Sequence, residues 1–414
     1  MEIGGEFCFA DIGPAPDGEA SVADLIGGWS RRYPTLLLSS GRTAYLSVWL
    51  SLLHAERNLD TVLLPSYLCY SILMPFRRIG VRIEYYRVHS DLAVDWDDLE
   101  RKARRLGSGA AAVIVNYFGL PESGDVVRAI CRIRQTGARV VYDATHSLLN
   151  DCPWPAVADS SCARPGPGGV SGLASGPVPG SASVSAPGLP PAVDVCVMSL
   201  RKTLPVVDGA AVVWPDGARP APGLSVAKER VDSYFSSRAL AMMLKAAFVT
   251  DGLGSARNYL NLYDQAEAAL DREFGASSAM SGVSRSIIKR LGVDRIRRAR
   301  RANYAQLVRA LHEQDATRAG LQLLFPELPD GVVPLACPVV TDERDALREC
   351  LAARGVLTQI LWESPAEVPQ DEFPESWRLS QRILVLPCDQ RYSPEHMEIV
   401  ARAASTLGSS PCSP

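Results

Sequence analysis

Residues 193–214 read VDVCVMSLRKTLPVVDGAAVVW, two apolar runs separated by a basic turn and a glycine. Short continuous apolar runs predict strands that are buried on both faces of a sheet. A second stretch, ARVVYDATHSLL at 138–149, begins in the same way and then becomes polar. From about residue 36 to 215, such runs alternate with segments of helical periodicity. The pattern predicts an α/β fold, a three-layer domain whose mostly parallel sheet is covered by helices on both faces.

The predicted elements extend over most of the chain. Strands are predicted at 62–64, 81–88, 111–118, 138–143, 193–199 and 209–214. Helices are predicted at 43–56, 70–79, 95–105 and near 123–136. After about residue 216 the chain becomes mainly helical, with two later strand candidates at 334–340 and 382–387. We therefore expect a large domain over 1–250 and a smaller C-terminal α+β domain over 251–414.

Residues 152–192 interrupt this alternation. Proline, glycine and serine make up more than half of the stretch, and Asp159 and Arg164 are its only charged residues. Such a composition cannot bury enough apolar surface to offset the entropy of ordering. Because strand-like segments resume on both sides, we interpret it as a flexible insertion within the large domain.

Composition excludes several classes of function. The net charge is −3 over 414 residues, which argues against nucleic acid or an anionic membrane as a partner. No apolar run is long enough to span a bilayer, and the N-terminus lacks a secretory signal, so we expect a cytoplasmic protein. The ten cysteines stand singly, which predicts reduced thiols. The five histidines lack metal-binding spacings, which predicts no metal site.

Asp143 and Lys202 are the residues that indicate chemistry. Each follows a predicted strand, and ligands of α/β sheets bind beyond the carboxyl ends of the strands. A partly desolvated lysine amine can form a Schiff base with an aldehyde, and a carboxylate can keep a pyridine nitrogen protonated. Taken singly, the aspartate is typical of a turn and the lysine of a surface charge. Together they point to pyridoxal 5′-phosphate (PLP), which carries both an aldehyde and a pyridine ring.

Three further residues are candidates for the same site. The turn SSGRTAYL at 39–46 opens a helix whose free N–H groups, with Thr43, would suit a phosphate, although it is also an ordinary N-cap. Ser199 is a second candidate phosphate donor. We expect His146 to turn back and position Asp143; the alternative is a buried histidine satisfied by backbone.

Five segments, in order, resemble the DegT/DnrJ/EryC1/StrS-type aminotransferases, within the fold-type-I PLP enzymes. They are GRTAYL (41–46), VLLPSYLCYSILMPFRRIG (62–80), NYFGLPE (116–122), YDATHS (142–147) and SLRK followed by DGAAVV (199–213). The resemblance implies an aspartate-aminotransferase-like fold and a homodimer with active sites at the subunit interface. It also implies PLP on Lys202 as a Schiff base, Asp143 at the pyridine nitrogen, and Arg42 and Thr43 in the phosphate-binding turn.

The chain departs from the family pattern in several places. The position that commonly stacks an aromatic ring on the cofactor falls on Cys69, with Tyr67 and Tyr70 as neighbouring candidates. Only two residues separate Ser199 from Lys202, where the family has a longer stretch. Because of these departures, the resemblance does not identify the molecule that accepts the amino group.

The basic stretch RSIIKRLGVDRIRRARRANY (285–304) has apolar residues on one helical face, namely Ile288, Leu291, Ile296 and Tyr304. This predicts that its arginines form a solvated outer face. A role in holding an anionic substrate or the partner subunit's cofactor phosphate is the alternative.

The leading hypothesis is a PLP-dependent aminotransferase that uses a small-molecule amino donor and a keto or aldehyde acceptor, such as a sugar or secondary-metabolite intermediate. A PLP-dependent lyase or replacement enzyme would use the same residues on the same scaffold. A PLP-binding regulator without turnover is the third alternative.

Overall fold

The computed structural model describes residues 2–15, 17–122, 125–156, 192–215, 219–224, 228–229, 231–317 and 320–405. Within them, the strands are β1 Ile3–Gly4, β2 Thr35–Leu38, β3 Thr61–Pro65, β4 Arg82–Tyr86, β5 Ala110–Val115, β6 Arg139–Asp143, β7 Val195–Ser199, β8 Ala210–Val213, β9 Lys228–Glu229, β10 Ser278–Ala279, β11 Gln322–Leu323, β12 Cys337–Val340, β13 Val356–Leu357 and β14 Ile383–Leu386.

The helices in the same residues are α1 Val22–Ser30, α2 Gly41–Ala55, α3 Tyr70–Arg78, α4 Trp96–Leu106, α5 Val126–Gln135, α6 Ser233–Asp251, α7 Ala256–Glu273, α8 Gly282–Ile288, α9 Val293–Glu313, α10 Arg344–Ala353, α11 Pro374–Arg382 and α12 Pro394–Ala404.

A nine-stranded sheet forms the centre of the molecule, in the order β4-β3-β5-β6-β7-β8-β2-β10-β9. From β4 to β7 all neighbours run parallel, whereas β8, β2 and β10 each pair antiparallel with the strand before them. Every residue of β3, β5 and β7 is buried, as expected of strands covered on both faces. The predicted α/β class with a mostly parallel sheet is confirmed.

The C-terminal part of the chain forms a three-stranded antiparallel sheet, β11-β12-β14. β10 lies beyond residue 250 and yet pairs with β2 in the large sheet. Strands of two residues carry no readable periodicity, so neither β10 nor β1 was predicted. The division at residue 250 stays a prediction.

The basic stretch forms two helices, because α8 ends at Ile288 and α9 begins at Val293. Its apolar residues are buried as predicted. The prediction that its arginines form an outer face is wrong for Arg300, which is 1 % exposed. Its guanidinium donates to the backbone oxygens of Pro334, Leu335 and Thr203, and such bonds allow a guanidinium to be buried.

Four further expectations concern segments and side chains outside this framework. Most of the predicted insertion at 152–192, namely 157–191, lies outside the described residues.

The prediction of reduced cysteines is wrong for Cys131, which is disulfide-bonded. The other described cysteines are free, namely Cys8, Cys69, Cys152, Cys196, Cys337, Cys350 and Cys388. No described helix is long and apolar enough to cross a membrane, and no described cluster of side chains has the makeup of a metal site.

Candidate active site

Asp143 ends β6 and is 5 % exposed. Its Oδ2 accepts a 2.6 Å hydrogen bond from the Tyr45 phenol, and its Oδ1 accepts a 2.8 Å bond from the Thr145 N–H. Burial raises the pKa of Asp143, while Thr145, Tyr45 and the charge of Lys202 act in the opposite direction. Both oxygens thus serve as acceptors of hydrogen bonds from neutral donors, which fix the orientation of the carboxyl group.

Lys202 ends a short 3₁₀ turn, Leu200–Lys202, that directly follows β7. Since β6 and β7 are parallel neighbours, with Asp143 opposite Val197, both chains leave the sheet at the same edge. Burial and then the charge of Arg201 lower the pKa of Lys202, against the opposing effects of Cys69, Glu267 and Glu6. A lowered pKa increases the neutral fraction of the amine, which is the nucleophilic form.

The start of α2 lies beside the same strand ends. Ser40 caps the helix by accepting from the Thr43 N–H at 3.1 Å. Among the described residues, none accepts a hydrogen bond from the N–H of Gly41 or of Arg42. A β-carbon placed on Gly41 would lie 3.6 Å from Cβ of Ser199, so this serine adjoins the helix start. Free N–H groups at a helix N-terminus next to a hydroxyl suit a phosphate.

The side chain of Arg42 belongs to a different group of contacts. Its guanidinium lies 2.5 Å from Oδ1 of Asp271 and 3.7 Å from Glu267. Glu267 also pairs with Arg201 at 2.7 Å and lies 3.9 Å from Arg238. Only the backbone of Arg42 therefore remains for the predicted phosphate turn. The side chain instead links α2, through Glu267, to the turn that carries Lys202.

His146 lies in the same cleft as Lys202. Its Nδ1 accepts a 3.1 Å hydrogen bond from the Phe118 N–H, and its ring is nearly parallel to those of Phe118 and Trp362, with centroids 5.8 and 5.5 Å away. Burial, followed by the charge of Lys202, lowers the pKa of His146 to about 3. No hydrogen bond joins His146 to Asp143 in the described structure. Tyr45 and Thr145 position the carboxylate instead, since they reach it directly.

The candidates for ring stacking are at different depths. Tyr67 is 1 % exposed, and its phenol donates to the Leu361 oxygen and accepts from the Trp362 N–H at 2.8 Å. Cys69 is a half-buried free thiol at the N-cap of α3. Tyr70 is 44 % exposed.

Sequence reasoning missed several residues around the cleft. Trp362, Glu6 and Arg391 line it together with Lys202. Tyr45, on α2, reaches Asp143, and Glu267, on α7, pairs with Arg201 next to Lys202. These residues come from parts of the chain far from 143 and 202. Tyr45 could have been suspected from the sequence, since it lies in SSGRTAYL (39–46), the segment predicted to bind the phosphate.

No known family model matches the chain, and no curated protein matches it. Several solved structures resemble it over nearly their whole length. The aminotransferase TlmJ from Streptoalloteichus hindustanus is 17 % identical, with 95 % of this chain and 91 % of that chain covered and a TM-score of 0.57. The sugar aminotransferase CalS13 from Micromonospora echinospora is also 17 % identical, with coverage of 95 % and 98 % and a TM-score of 0.55.

A DegT DnrJ EryC1 StrS aminotransferase from Brucella abortus is 15 % identical, with coverage of 94 % and 89 % and a TM-score of 0.55. At such identities the likeness concerns the fold. The fold implied by the sequence resemblance is thereby confirmed: the chain has the fold of the PLP-dependent aminotransferases.

Proposed function

We propose that this protein is a PLP-dependent aminotransferase of the DegT/DnrJ/EryC1/StrS type, with Lys202 as the residue that carries the cofactor. The observation that supports it most directly is the placement of Lys202 and Asp143 after adjacent parallel strands, where the charge of the lysine acts on the carboxyl. The likeness in fold to known aminotransferases agrees with this proposal.

The residues present fit the cofactor. Bound PLP supplies an aldehyde for the lysine and an electron-withdrawing ring. Lys202 offers a desolvated amine that, once released, moves a proton at its Nζ. Asp143, held by Tyr45 and Thr145, would accept a hydrogen bond from a protonated ring nitrogen. The start of α2 with Ser199 offers donors to the phosphate.

We extend the proposal to the assembly and substrates. The protein works as a cytoplasmic homodimer, takes its amino group from a small-molecule donor and passes it to a keto or aldehyde acceptor. The support is the resemblance of its motifs to the family, together with the fold.

Borohydride reduction of the purified protein, followed by peptide mapping, tests the assignment. We expect a fixed cofactor on Lys202, lost in Lys202→Ala and kept in Lys289→Ala, which removes an exposed lysine of the same charge. Glutamate should then convert the bound cofactor to pyridoxamine phosphate and release the keto acid. Attachment to another lysine contradicts the assignment, and elimination without pyridoxamine phosphate supports the lyase alternative instead.

A further inference from the structure

The N-terminal segment, residues 2–8, lies across the cleft that contains Lys202. Its β1 pairs in parallel with β13, and the Gly4 N–H donates to the Tyr392 phenol at 2.6 Å. Gly4 has a φ of +100°, and a β-carbon on it would lie 1.9 Å from the Leu357 oxygen. Only glycine fits such a close approach, so this end of the segment is held in one position.

The other end of the segment is held by α6 and α7. Lys245 donates to the Glu6 backbone oxygen at 2.8 Å, and Arg391 donates to the same oxygen at 3.2 Å. Tyr263 donates to the Phe7 oxygen at 2.6 Å. Two cations and a phenol thus fix the backbone on which the Glu6 side chain is carried.

Glu6 belongs to the lining of the cleft, and its carboxylate has one described partner. Its Oε2 accepts a 2.9 Å hydrogen bond from Arg238, and no other described side chain donates to it. The side chain is 36 % exposed and lines the same cleft as Lys202. Although burial acts to raise it, the charges of Arg238, Arg201 and Lys202 hold the pKa of Glu6 at about 2. Glu6 is therefore an anion at working pH and does not serve as a proton acceptor.

We infer that Glu6 is a specificity-determining residue, which accepts a hydrogen bond from a hydroxyl or ammonium group of the substrate and disfavours a carboxylate at that place. The inference rests on the proposed function for the existence of a substrate. The position of Glu6 in the cleft does not depend on that proposal. A carboxylate with one oxygen already bonded and a fixed backbone is preorganised to accept one more donor. A like charge brought to the same place is repelled, which is how sites reject a wrong ligand.

Competing aldehydes that react with Lys202 in cofactor-free protein test this inference. Glyoxylate, glycolaldehyde and betaine aldehyde carry a carboxylate, a hydroxyl and a quaternary ammonium next to the same reactive group. Cyanoborohydride fixes each adduct, and mass spectrometry measures its rate at Lys202. In Glu6→Gln we expect the glyoxylate-to-glycolaldehyde rate ratio to rise about tenfold over wild type, since a like-charge repulsion is removed at a partly solvated site. Any change in the basicity of Lys202 cancels in this ratio.

The rates of the individual aldehydes identify the group that Glu6 recognises, and a second variant controls for the loss of a negative charge elsewhere. A larger fall in the betaine aldehyde rate shows that Glu6 attracts positive charge, since a quaternary ammonium has no N–H to donate, and a larger fall in the glycolaldehyde rate identifies a hydroxyl donor. Asp17→Asn removes an exposed carboxylate from the same end of the chain and should leave the ratios at wild-type values. If Glu6→Gln is insoluble, Glu6→Asp is used instead. It keeps the negative charge on a side chain one methylene shorter, and its glyoxylate-to-glycolaldehyde rate ratio should lie between those expected for wild type and Glu6→Gln.

The inference is overturned if the ratio is the same in wild type and Glu6→Gln, if Asp17→Asn changes it equally, or if no aldehyde modifies Lys202 in any variant. Because the assay contains no cofactor, its failure is separate from that of the aminotransferase proposal. That proposal fails when borohydride fixes no PLP on Lys202.

Discussion

The phenol of Tyr45, on α2, donates a 2.6 Å hydrogen bond to Oδ2 of Asp143 at the end of β6. The two residues are 98 positions apart, and both are nearly inaccessible to solvent. Because α2 also carries the candidate phosphate turn at its start, this bond couples two parts of the proposed cofactor site. Loss of the phenol leaves a buried carboxyl with one bonded oxygen.

We expect Tyr45→Phe to lower the free energy of unfolding by about 2 kcal/mol, since a hydrogen bond to a buried carboxylate is lost. Turnover should fall as well, because Asp143 becomes harder to ionise. Tyr86→Phe is the matched control: its buried phenol donates to the backbone oxygen of Val113 at 2.7 Å, outside the site. That variant should lose about 1 kcal/mol and keep its turnover. Equal turnover in both variants, measured beside chemical unfolding, contradicts the coupling.

Glu267 joins Arg201 to Arg42 and Arg238, and its charge raises the pKa of Lys202. In Glu267→Gln, labelling of Lys202 by an amine reagent should therefore begin at lower pH than in wild type. The free energy of unfolding should fall by about 2 kcal/mol, less than for a fully buried pair because Glu267 is partly exposed. Glu273→Gln removes an exposed acid from the same helix and should alter neither property. An unshifted labelling profile argues against an electrostatic link to Lys202.

Gly4→Ala should destabilise the protein by about 3 kcal/mol, because its β-carbon meets the Leu357 oxygen at 1.9 Å and its φ is +100°. Gly18 also has a positive φ, +72°, but a β-carbon on it would meet no atom within 4 Å. Gly18→Ala therefore measures the cost of the positive φ alone, about 1 kcal/mol of unfolding free energy. Thermal unfolding compares the two. Equal losses would show that the close approach to Leu357 is absent in solution.

Stability should depend on pH through His146. Its pKa is about 3 in the folded protein and ordinarily 6.5, so between these values the unfolded chain binds the proton and the folded protein does not. The free energy of unfolding therefore falls as the pH drops from 6.5 towards 3, by about 1.4 kcal/mol per pH unit from this group. His146→Asn keeps an acceptor for the Phe118 N–H and should show a shallower slope in acid. Parallel slopes for the two proteins would indicate that His146 is not a buried neutral base.

Replacement of residues 157–191 by a short glycine–serine linker should leave cofactor binding nearly unchanged. The flanks meet, because the Ala192 N–H donates to the Pro155 oxygen at 2.7 Å, so a few residues suffice to join them. Loss of soluble protein would mean that the segment contributes to folding or assembly.

The sequence by itself determined the central strands and the pairing of Asp143 with Lys202. Buried parallel strands leave continuous apolar runs, and a polar residue directly after such a run lies at the sheet edge whatever the rest of the chain does. Thr43 and Ser199 were predicted in the same way, from their place at a helix start and a strand end. These signals are local, so they can be read without knowing the fold.

Only the tertiary structure decided what surrounds these residues. Tyr45 rather than His146 reaches Asp143, Arg300 turns inward, and Glu6, near the N-terminus, lines the same cleft as Lys202. Each contact depends on how the helices and sheets pack, since side chains that are many residues apart in sequence meet only once the backbone is folded. A buried arginine and an exposed one look alike in sequence, because the carbonyl oxygens that make burial possible belong to distant segments.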